Sequence, residues 1–240
     1  MPRLYSPVPL SPGTVLQLPP AAARHVQVLR MQPGQGVILF DGRGGEWEAT
    51  IEHMGRSDVG VRVERHLAVE REPLRQVHLA VGMTANERMD WLVEKAAELG
   101  AAGIHPLVTE RAIVRLHGER AARKREHWQA VAAAACEQCG GNRVPRVSEP
   151  VPLAQWQPPE GAQRWLLSFA GDAHPLHAAH GAGPVVLLSG PEGGLTESEE
   201  RAARAAAFRP LTLGPRVLRA ETAPLAALAA LTLPLETCPP

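Results

Sequence analysis

The sequence predicts an α/β protein in which a small N-terminal β-barrel precedes a larger α/β domain. Residues 1–70 are rich in Pro and Gly and contain short β-branched runs, a pattern typical of a barrel of strands joined by tight turns. From residue 74 onward, strand patterns alternate with helical patterns, which predicts a mostly parallel sheet with helices on both faces. We place the boundary where charge density rises, which gives domains 1–70 and 74–240.

The first domain contains three apolar, β-branched runs that predict strands at 36–40, 47–51 and 59–63. Asp41-Gly42 followed by Gly44-Gly45 predicts a hairpin tip between the first two runs. The one helical pattern in this domain covers Ala21–Arg30.

The second domain alternates strands and helices along its whole length. Its predicted elements are strands at 76–82, 102–108, 165–169, 185–188 and 210–213 and helices over 88–99 and 119–139. Thr196 and Glu199 form a Thr-x-x-Glu capping box at the start of another helix. A nearly all-apolar helix follows Pro224, and such a helix must be buried or lie against a partner subunit.

The charge of the chain is balanced, with 25 Lys+Arg and 25 Asp+Glu. Nucleic-acid binding would therefore depend on a local patch rather than on the net charge. Residues 111–146 contain eight basic and three acidic side chains, a surplus of five. This surplus is typical of an RNA-binding patch and also of a solvated helix face.

Several features predict a cytoplasmic protein with no membrane partner. The first residues, Met-Pro-Arg-Leu-Tyr, lack an apolar signal core, and no segment approaches the roughly 18 consecutive apolar residues of a membrane span. Three cysteines are too few for a disulfide scaffold and fit a reducing compartment.

Two glycine-containing loops, 188–196 and 213–222, predict one ligand site. Each follows an apolar run and precedes a helical pattern, and loops after parallel strands are where α/β sheets bind small ligands. Neither loop contains G-x-x-x-x-G-K-[ST] or G-x-G-x-x-G. A ligand without phosphate groups is therefore favoured.

Two clusters of metal-binding residue types carry weaker alternatives. Cys136-x-x-Cys139 is a zinc or redox spacing, yet it lacks a second cysteine pair and lies at the end of a helix, where a thiolate is not stabilised. His174-x-x-His177-x-x-His180 lies in a Gly-Ala-Pro loop without a carboxylate-rich surrounding. We predict no metal site.

Six motifs in order give the chain a resemblance to a known family. They are Arg24-His-x-x-x-Val-Leu-Arg30, Arg88-Met-Asp-Trp-x-Val-Glu-Lys-Ala-Ala-Glu-Leu-Gly100, Thr109-Glu-Arg111, Ala135-Cys-Glu-Gln-Cys-Gly-Gly-Asn-Arg-Val-Pro145, Gly190-Pro-Glu-Gly-Gly-Leu195 and Leu213-Gly-x-Arg-Val-Leu-Arg-x-Glu-Thr-Ala223. Over essentially its whole length the chain resembles the bacterial ribosomal-RNA uridine N3-methyltransferases, the RsmE branch of the SPOUT superfamily.

The resemblance implies a PUA-like barrel for substrate RNA, followed by a SPOUT-type α/β domain with a C-terminal trefoil knot. Periodicity alone would not predict a knot, because threaded chains are rare. It also implies a homodimer formed through the knotted domain and S-adenosyl-L-methionine as cofactor. The cofactor-binding residues that it implies are Leu167, Phe169, Leu188, Gly190, Pro191, Glu192, Gly193, Leu213, Gly214, Val217 and Leu218.

The substrate that the resemblance implies is a uridine in the decoding region of 16S rRNA, within the small ribosomal subunit. Uridine N3 carries a proton and lies on the base-pairing edge, so the base must be unstacked and its anion stabilised. Arg216 and Arg219 are the expected cationic donors. Glu221 would orient an arginine or accept the proton. Alternatively, Arg219 and Glu221 simply pair to cap the last helix.

Candidate RNA-binding residues lie in both parts of the chain. Arginine and histidine in the barrel would contact phosphates, and the end of the long helix borders the active site in the resemblance. These candidates are Arg24, His25, Arg30, Arg43, Gln138 and Arg143. Two departures from the family pattern are Ala220, where threonine is usual, and Ala85, where a basic residue is common.

Two other functions compete with methyl transfer. A non-catalytic RNA-binding or ribosome assembly factor would retain the barrel and the basic helix but would not need Gly190–Gly194. A nucleotide-dependent oxidoreductase would need a pyrophosphate-binding glycine pattern after its first strand, and Val81–Asn86 does not contain one.

Overall fold

The computed structural model describes residues 1–56, 58–114 and 116–233. They form two compact units. The first comprises Met1–Glu72 and Ala133–Val144, and the second comprises Pro73–Ala132 and the described residues from Pro145 onward. The sequence did not assign residues 133–144 to the first unit.

The first unit contains a five-stranded sheet, one complete helix and the C-terminal end of a second helix. Its elements are β1 (Arg3–Tyr5), β2 (Val15–Gln17), α1 (Pro20–Val28), β3 (Gly36–Phe40), β4 (Glu46–Met54) and β5 (Val59–Leu67). The strand order is β1-β3-β4-β5-β2; β1 pairs parallel with β3, and the other pairs are antiparallel. Fully buried Leu39, Ile51 and Val61 contribute to one apolar core. The three predicted strands, the hairpin and the short helix are confirmed.

The second unit contains an eight-stranded sheet and four helices. Its strands are β6 (Val77–Gly82), β7 (Gly103–Val108), β8 (Arg146–Val147), β9 (Val151–Pro152), β10 (Gln163–Leu167), β11 (His174–Pro175), β12 (Val185–Ser189) and β13 (Arg209–Thr212). Its helices are α2 (Asn86–Glu98), α3 (Gly118–Cys139), α4 (Glu197–Ala205) and α5 (Thr222–Thr232), with short 3-10 turns at Leu153–Gln155 and Leu176–Ala179. The last seven residues of α3 belong to the first unit.

All strand pairings in this sheet are parallel among the described residues, as the sequence predicted. The order is β11-β13-β10-β12-β6-β7-β8, and β9 also pairs with β7. Every residue of β12 is buried, so both faces of the sheet centre are covered. One face packs against Ala203 of α4 and Phe208, and α5 contacts β6 and β12.

The chain enters the sheet at β6 and continues to β7 on one side, whereas β12, β10 and β13 lie on the other side. Ligands bind at such a switch point, beyond the carboxyl ends of the strands. The segments that follow β10, β12 and β13 therefore meet at one edge. The predicted elements of this unit are confirmed; the short strands β8, β9 and β11 were not predicted. Within the described part of the chain, no helix has the length and apolar character of a membrane span.

Candidate active site

A cavity of about 390 Å³ lies in the second unit, at the carboxyl ends of β10, β12 and β13. Its volume falls in the range of small-molecule sites. It is lined by Leu167, Ser168, Phe169, Ala170, Ser189, Gly190, Pro191, Glu192, Gly194, Leu195, Glu200, Leu211, Leu213, Arg216, Val217, Leu218, Ala220 and Ala223. Both glycine-containing loops contribute, so the structure brings the two halves of the expected site together.

Most of the expected cofactor-binding residues line this cavity, but five of the expected cofactor-binding and catalytic residues do not. Leu188 is fully buried in β12 and lines another cavity, on the sheet face covered by α4. Gly193, Gly214, Arg219 and Glu221 lie within the two loops without forming the wall. Outside the two predicted loops and the strand end at 167–169, sequence reasoning missed four lining residues, Ala170, Glu200, Leu211 and Ala223. For Ala170 the available signal was its position directly after the predicted strand at 165–169.

The loop after β12 folds back on itself at Gly190. A Cβ atom there would lie 2.7 Å from Gly194 C and 2.7 Å from Leu195 N, closer than atoms pack. A Cβ on Gly82, at the end of β6, would lie 2.5 Å from Pro191 Cδ. Only residues without a side chain permit these approaches, which explains why both positions are glycine.

Side chains from neighbouring elements hold the same loop. Arg111 Nη1 donates to Gly193 O at 3.0 Å and to Leu195 O at 3.1 Å. The capping box is present: Glu199 N donates to Thr196 Oγ1 at 3.2 Å, and Thr196 N donates to Glu199 Oε2 at 2.8 Å. The helix α4 therefore begins directly at the end of the loop and fixes its direction.

Glu192 connects this loop to the start of α2. Its Oε1 accepts hydrogen bonds from Ala85 N and from Arg88 Nη1, both at 3.2 Å. Arg88 Nε also lies 3.9 Å from Glu221 Oε1, in the loop after β13. A single guanidinium group thus lies between the carboxylates of the two loops.

The loop after β13 presents its side chains outward. Arg216, Val217 and Arg219 are exposed, and Val217 is 82% exposed although it lines the cavity. Within the described residues, no ion pair involves either arginine. Arg219 O accepts bonds from Thr222 N and Ala223 N, which starts α5. Glu221 is the N-cap residue of α5, but its side chain makes no cap hydrogen bond and no pair with Arg219. The helix-capping alternative therefore has no supporting contact.

Besides Arg75 Nη2, four buried polar side-chain atoms of the second unit have no hydrogen-bond partner among the described residues. They are Thr84 Oγ1, Thr109 Oγ1, Ser189 Oγ and Glu221 Oε2. The first three residues lie at or just beyond the carboxyl ends of β6, β7 and β12. Buried polar groups are normally satisfied, and unsatisfied ones concentrate where a ligand or water completes them. Ser189 lines the cavity itself.

The candidate RNA-binding residues are exposed and lie in the first unit. Arg24 and His25 lie on α1, and Arg30 follows it with a φ of 53°. Arg43 and Arg143 form an isolated antiparallel bridge. Arg143 Nε donates to Glu70 Oε2 at 3.0 Å, so part of its charge is compensated. Gln138 lies in the last turn of α3.

A buried polar cluster attaches residues 133–144 within the first unit, and no sequence pattern indicated it. Arg3 donates to Glu46 and, at 2.7 Å, to Asn142 Oδ1; Arg71 Nη1 donates to Glu46 Oε2 at 3.1 Å. Burial alone would raise the pKa of Glu46, but the bonds from Arg71 and Arg3 outweigh it and hold that pKa below its ordinary value. Burial raises the pKa of Glu137, which accepts from Tyr5 N at 2.7 Å.

The alternative metal and redox clusters gain no support. No group of three His, Cys, Asp or Glu side chains in the described ranges is placed to hold a metal ion. The bond with Cys139 and burial both raise the pKa of the Cys136 thiol, which opposes thiolate chemistry. Of the basic residues counted in 111–146, Arg115 lies outside the described residues.

Comparisons with known proteins define the class. Residues 70–232 match the model of an RNA methyltransferase domain, and residues 18–64 match that of an RNA methyltransferase PUA domain. The first match covers more than half of the chain. The chain therefore belongs to the RNA methyltransferase family that these models describe.

Individual relatives show which members of this family the chain is similar to. The chain is 31% identical over 221 residues to ribosomal RNA small subunit methyltransferase E from Bacillus subtilis, covering 88% of this chain and 86% of the relative. Ribosomal RNA small subunit methyltransferase E from Neisseria gonorrhoeae, bound to S-adenosyl methionine, matches with a TM-score of 0.90 and 38% identity over 96% of both chains. A methyltransferase structure from Legionella pneumophila with bound SAM matches with a TM-score of 0.89 and 40% identity over 95% of both chains.

Proposed function

We propose that this protein transfers a methyl group from S-adenosyl-L-methionine to N3 of a uridine in the decoding region of 16S rRNA. The observation that carries the proposal is the cavity formed by both glycine-containing loops, with Arg216 in its wall, in a chain of the RNA methyltransferase family. We place the reaction within the small ribosomal subunit and in the cytoplasm. The trefoil knot and the homodimer of the resemblance remain parts of this proposal.

The cavity fits S-adenosylmethionine. Its wall combines apolar side chains, such as Leu167, Leu213 and Leu218, with small residues and backbone groups of the 190–195 loop. It contains no glycine-rich phosphate loop, and this cofactor carries no phosphate. When bound, the cofactor supplies a methyl group on a positively charged sulfonium, which becomes a neutral thioether as the methyl bonds to N3. We assign its binding to the loop 190–195, the loop 213–218 and the end of β10.

Arg216 and Arg219 stabilise the uridine anion. The N3 proton leaves before or as the N3–methyl bond forms, and the negative charge then spreads over O2, N3 and O4. Two exposed guanidinium groups without ion pairs among the described residues have their full charge available for those oxygens. The target base must leave its stack to reach them.

Glu221 orients a neighbouring cation or accepts the N3 proton. It is 8% exposed, one of its oxygens faces Arg88, and the other has no partner in the described part of the chain. A fixed carboxylate with a free oxygen suits either role. The exposed arginines and His25 of the first unit would contact RNA phosphates, which fix orientation without reading sequence.

The decisive experiment is transfer of a labelled methyl group from S-adenosylmethionine to small ribosomal subunits that lack the modification. We expect N3-methyluridine as the product nucleoside in mass spectrometry. Subunit binding without transfer would instead support the non-catalytic assembly factor. Analytical ultracentrifugation tests the homodimer separately, and a monomer at micromolar concentration would contradict it.

A further inference from the structure

We propose that Arg88 is a positioning residue for methyl transfer and that it acts through Glu221. The inference deepens the proposed function and rests on it. Arg88 begins one of the six sequence motifs, but the resemblance assigns it no role in the reaction. Its position in the first turn of α2, directly after β6, places it beside both ligand loops.

Arg88 is the one cation within 4.0 Å of the Glu221 carboxylate among the described side chains. Glu221 is buried, and its second oxygen is without a partner there. Removing the cation from beside a buried carboxylate is unfavourable, so the carboxylate would move towards solvent. The attraction between Arg88 Nε and Glu221 Oε1, which lie 3.9 Å apart, therefore helps to hold Glu221 in the buried position that the reaction would use.

Glu192 depends much less on Arg88. The same Oε1 atom that accepts from Arg88 also accepts from Ala85 N, a backbone donor that no side-chain substitution removes. The carbonyls of Gly193 and Leu195 are held by Arg111 from the other side. Loss of Arg88 consequently leaves the 190–195 loop anchored, whereas it leaves Glu221 without its cation.

Because Arg88 contacts Glu221 and Arg111 contacts the 190–195 loop, their substitution should affect different quantities, kcat for Arg88 and cofactor affinity for Arg111. Arg88→Ala should lower kcat by about 10- to 100-fold, as small misplacements in an active site do. It should change the dissociation constant for S-adenosylmethionine by less than about threefold. Arg111→Ala removes two charge-assisted bonds to the loop and should weaken cofactor binding by about tenfold or more. Arg88→Lys should restore part of kcat, because an ammonium group replaces the lost charge.

The test uses the full chain, with cofactor affinity measured by calorimetry and methyl transfer measured on small ribosomal subunits. Arg201→Ala is the matched control, because Arg201 is exposed on α4 and outside the cavity. In a double-mutant cycle, Arg88→Ala should add little to the kcat loss of Glu221→Gln, since both remove the same interaction.

Three results would overturn the inference. The first is that the kcat losses of Arg88→Ala and Glu221→Gln add up in the double variant. The second is that Arg88→Lys restores no part of kcat. The third is that Arg88→Ala weakens cofactor binding by the same factor as it lowers kcat, which is the pattern of a merely structural residue. The wild-type reaction keeps the two proposals distinguishable. An inactive wild type that binds subunits would overturn both of them, whereas an active wild type with an additive cycle would overturn only the role of Arg88.

Discussion

The loops after β12 and β13 form one cavity, yet they are built in opposite ways. Residues 190–195 are held by Arg111, by the Glu192 contacts and by close approaches at Gly82 and Gly190. In the loop after β13, Thr212 Oγ1 bonds to Gly214, while Arg216, Val217 and Arg219 project outward. Both loops line the cavity, but the first is a rigid wall held by several contacts, whereas the second also presents exposed charged side chains.

The difference suggests a division of labour. A wall that is held from several sides is preorganised, which favours tight binding of a small ligand. Exposed guanidinium groups that form no ion pair with the described residues have no protein carboxylate to release when a nucleic-acid substrate arrives, so their charge is available to it. We therefore assign cofactor affinity mainly to the first loop and rate mainly to the second.

The largest effect should come from breaking the wall. Gly190→Ala places a methyl group 2.7 Å from Gly194 C and Leu195 N, so the backbone must move. We expect a loss of stability of about 1–3 kcal/mol and cofactor binding about 100-fold weaker or worse. Thermal unfolding and calorimetry measure the two effects.

Gly171→Ala is the control for this change. A Cβ atom there meets nothing within 4 Å, and no positive φ is involved. Normal cofactor binding by Gly190→Ala would show that the loop is not the rigid element described above.

The next largest effect should come from the second loop. Arg219→Ala, and separately Arg216→Ala, should lower kcat by about 10²- to 10³-fold, because each removes a donor to the developing negative charge. Stability should stay within about 0.5 kcal/mol of wild type, since both side chains are exposed and unpaired within the described residues. Single-turnover methyl transfer separates this loss from binding. Equal losses with Arg201→Ala would mean that general charge, and not this loop, is responsible.

The sequence predicted the position of both loops, but it did not predict what holds them. Strand and helix periods, the glycines and the capping box are local patterns, and each could be read from neighbouring residues. The contacts of Arg111 and Arg88 join residues far apart in the chain, and no period records them. The same holds for Arg3, Glu46 and Asn142, which attach residues 133–144 within the first unit. Ion-pair partners of this kind depend on the folded arrangement alone.

A smaller effect is a loss of stability in acid. It bears on the comparison of the two loops because Gly82 at the end of β6 and Arg111, shortly after β7, hold the loop 190–195. His105 on β7 lies 3.4 Å from His78 on β6, and burial, His78 and Arg146 lower the pKa of His105 to about 4. In the unfolded chain His105 is protonated as the pH falls through about 6.5, whereas in the folded chain it stays neutral until the pH approaches 4. Stability contributed by neutral His105 is therefore complete above about pH 6.5 and lost as the pH falls towards 4.

We expect this loss to be about 1–2 kcal/mol, after allowance for solvent screening. Urea denaturation at several pH values measures it. His105→Phe should flatten the dependence between pH 6.5 and about 4, because it removes the titrating group. An unchanged pH dependence in this variant would assign the acid loss to other groups, and His177→Gln, on the 3-10 turn at Leu176–Ala179, serves as the control.

The smallest effect should come from Thr196, the N-cap residue that joins the loop 190–195 to α4. Thr196→Ala removes the hydroxyl that accepts from Glu199 N at 3.2 Å, and we expect a loss of about 1 kcal/mol in the free energy of unfolding. Thr196→Ser retains the acceptor and should stay within a few tenths of a kcal/mol. Cofactor affinity should fall only slightly in Thr196→Ala, because Arg111 and Gly82 still hold the loop. A large fall in affinity, with Thr196→Ser unaffected, would mean that the cap and not the neighbouring contacts makes the loop rigid.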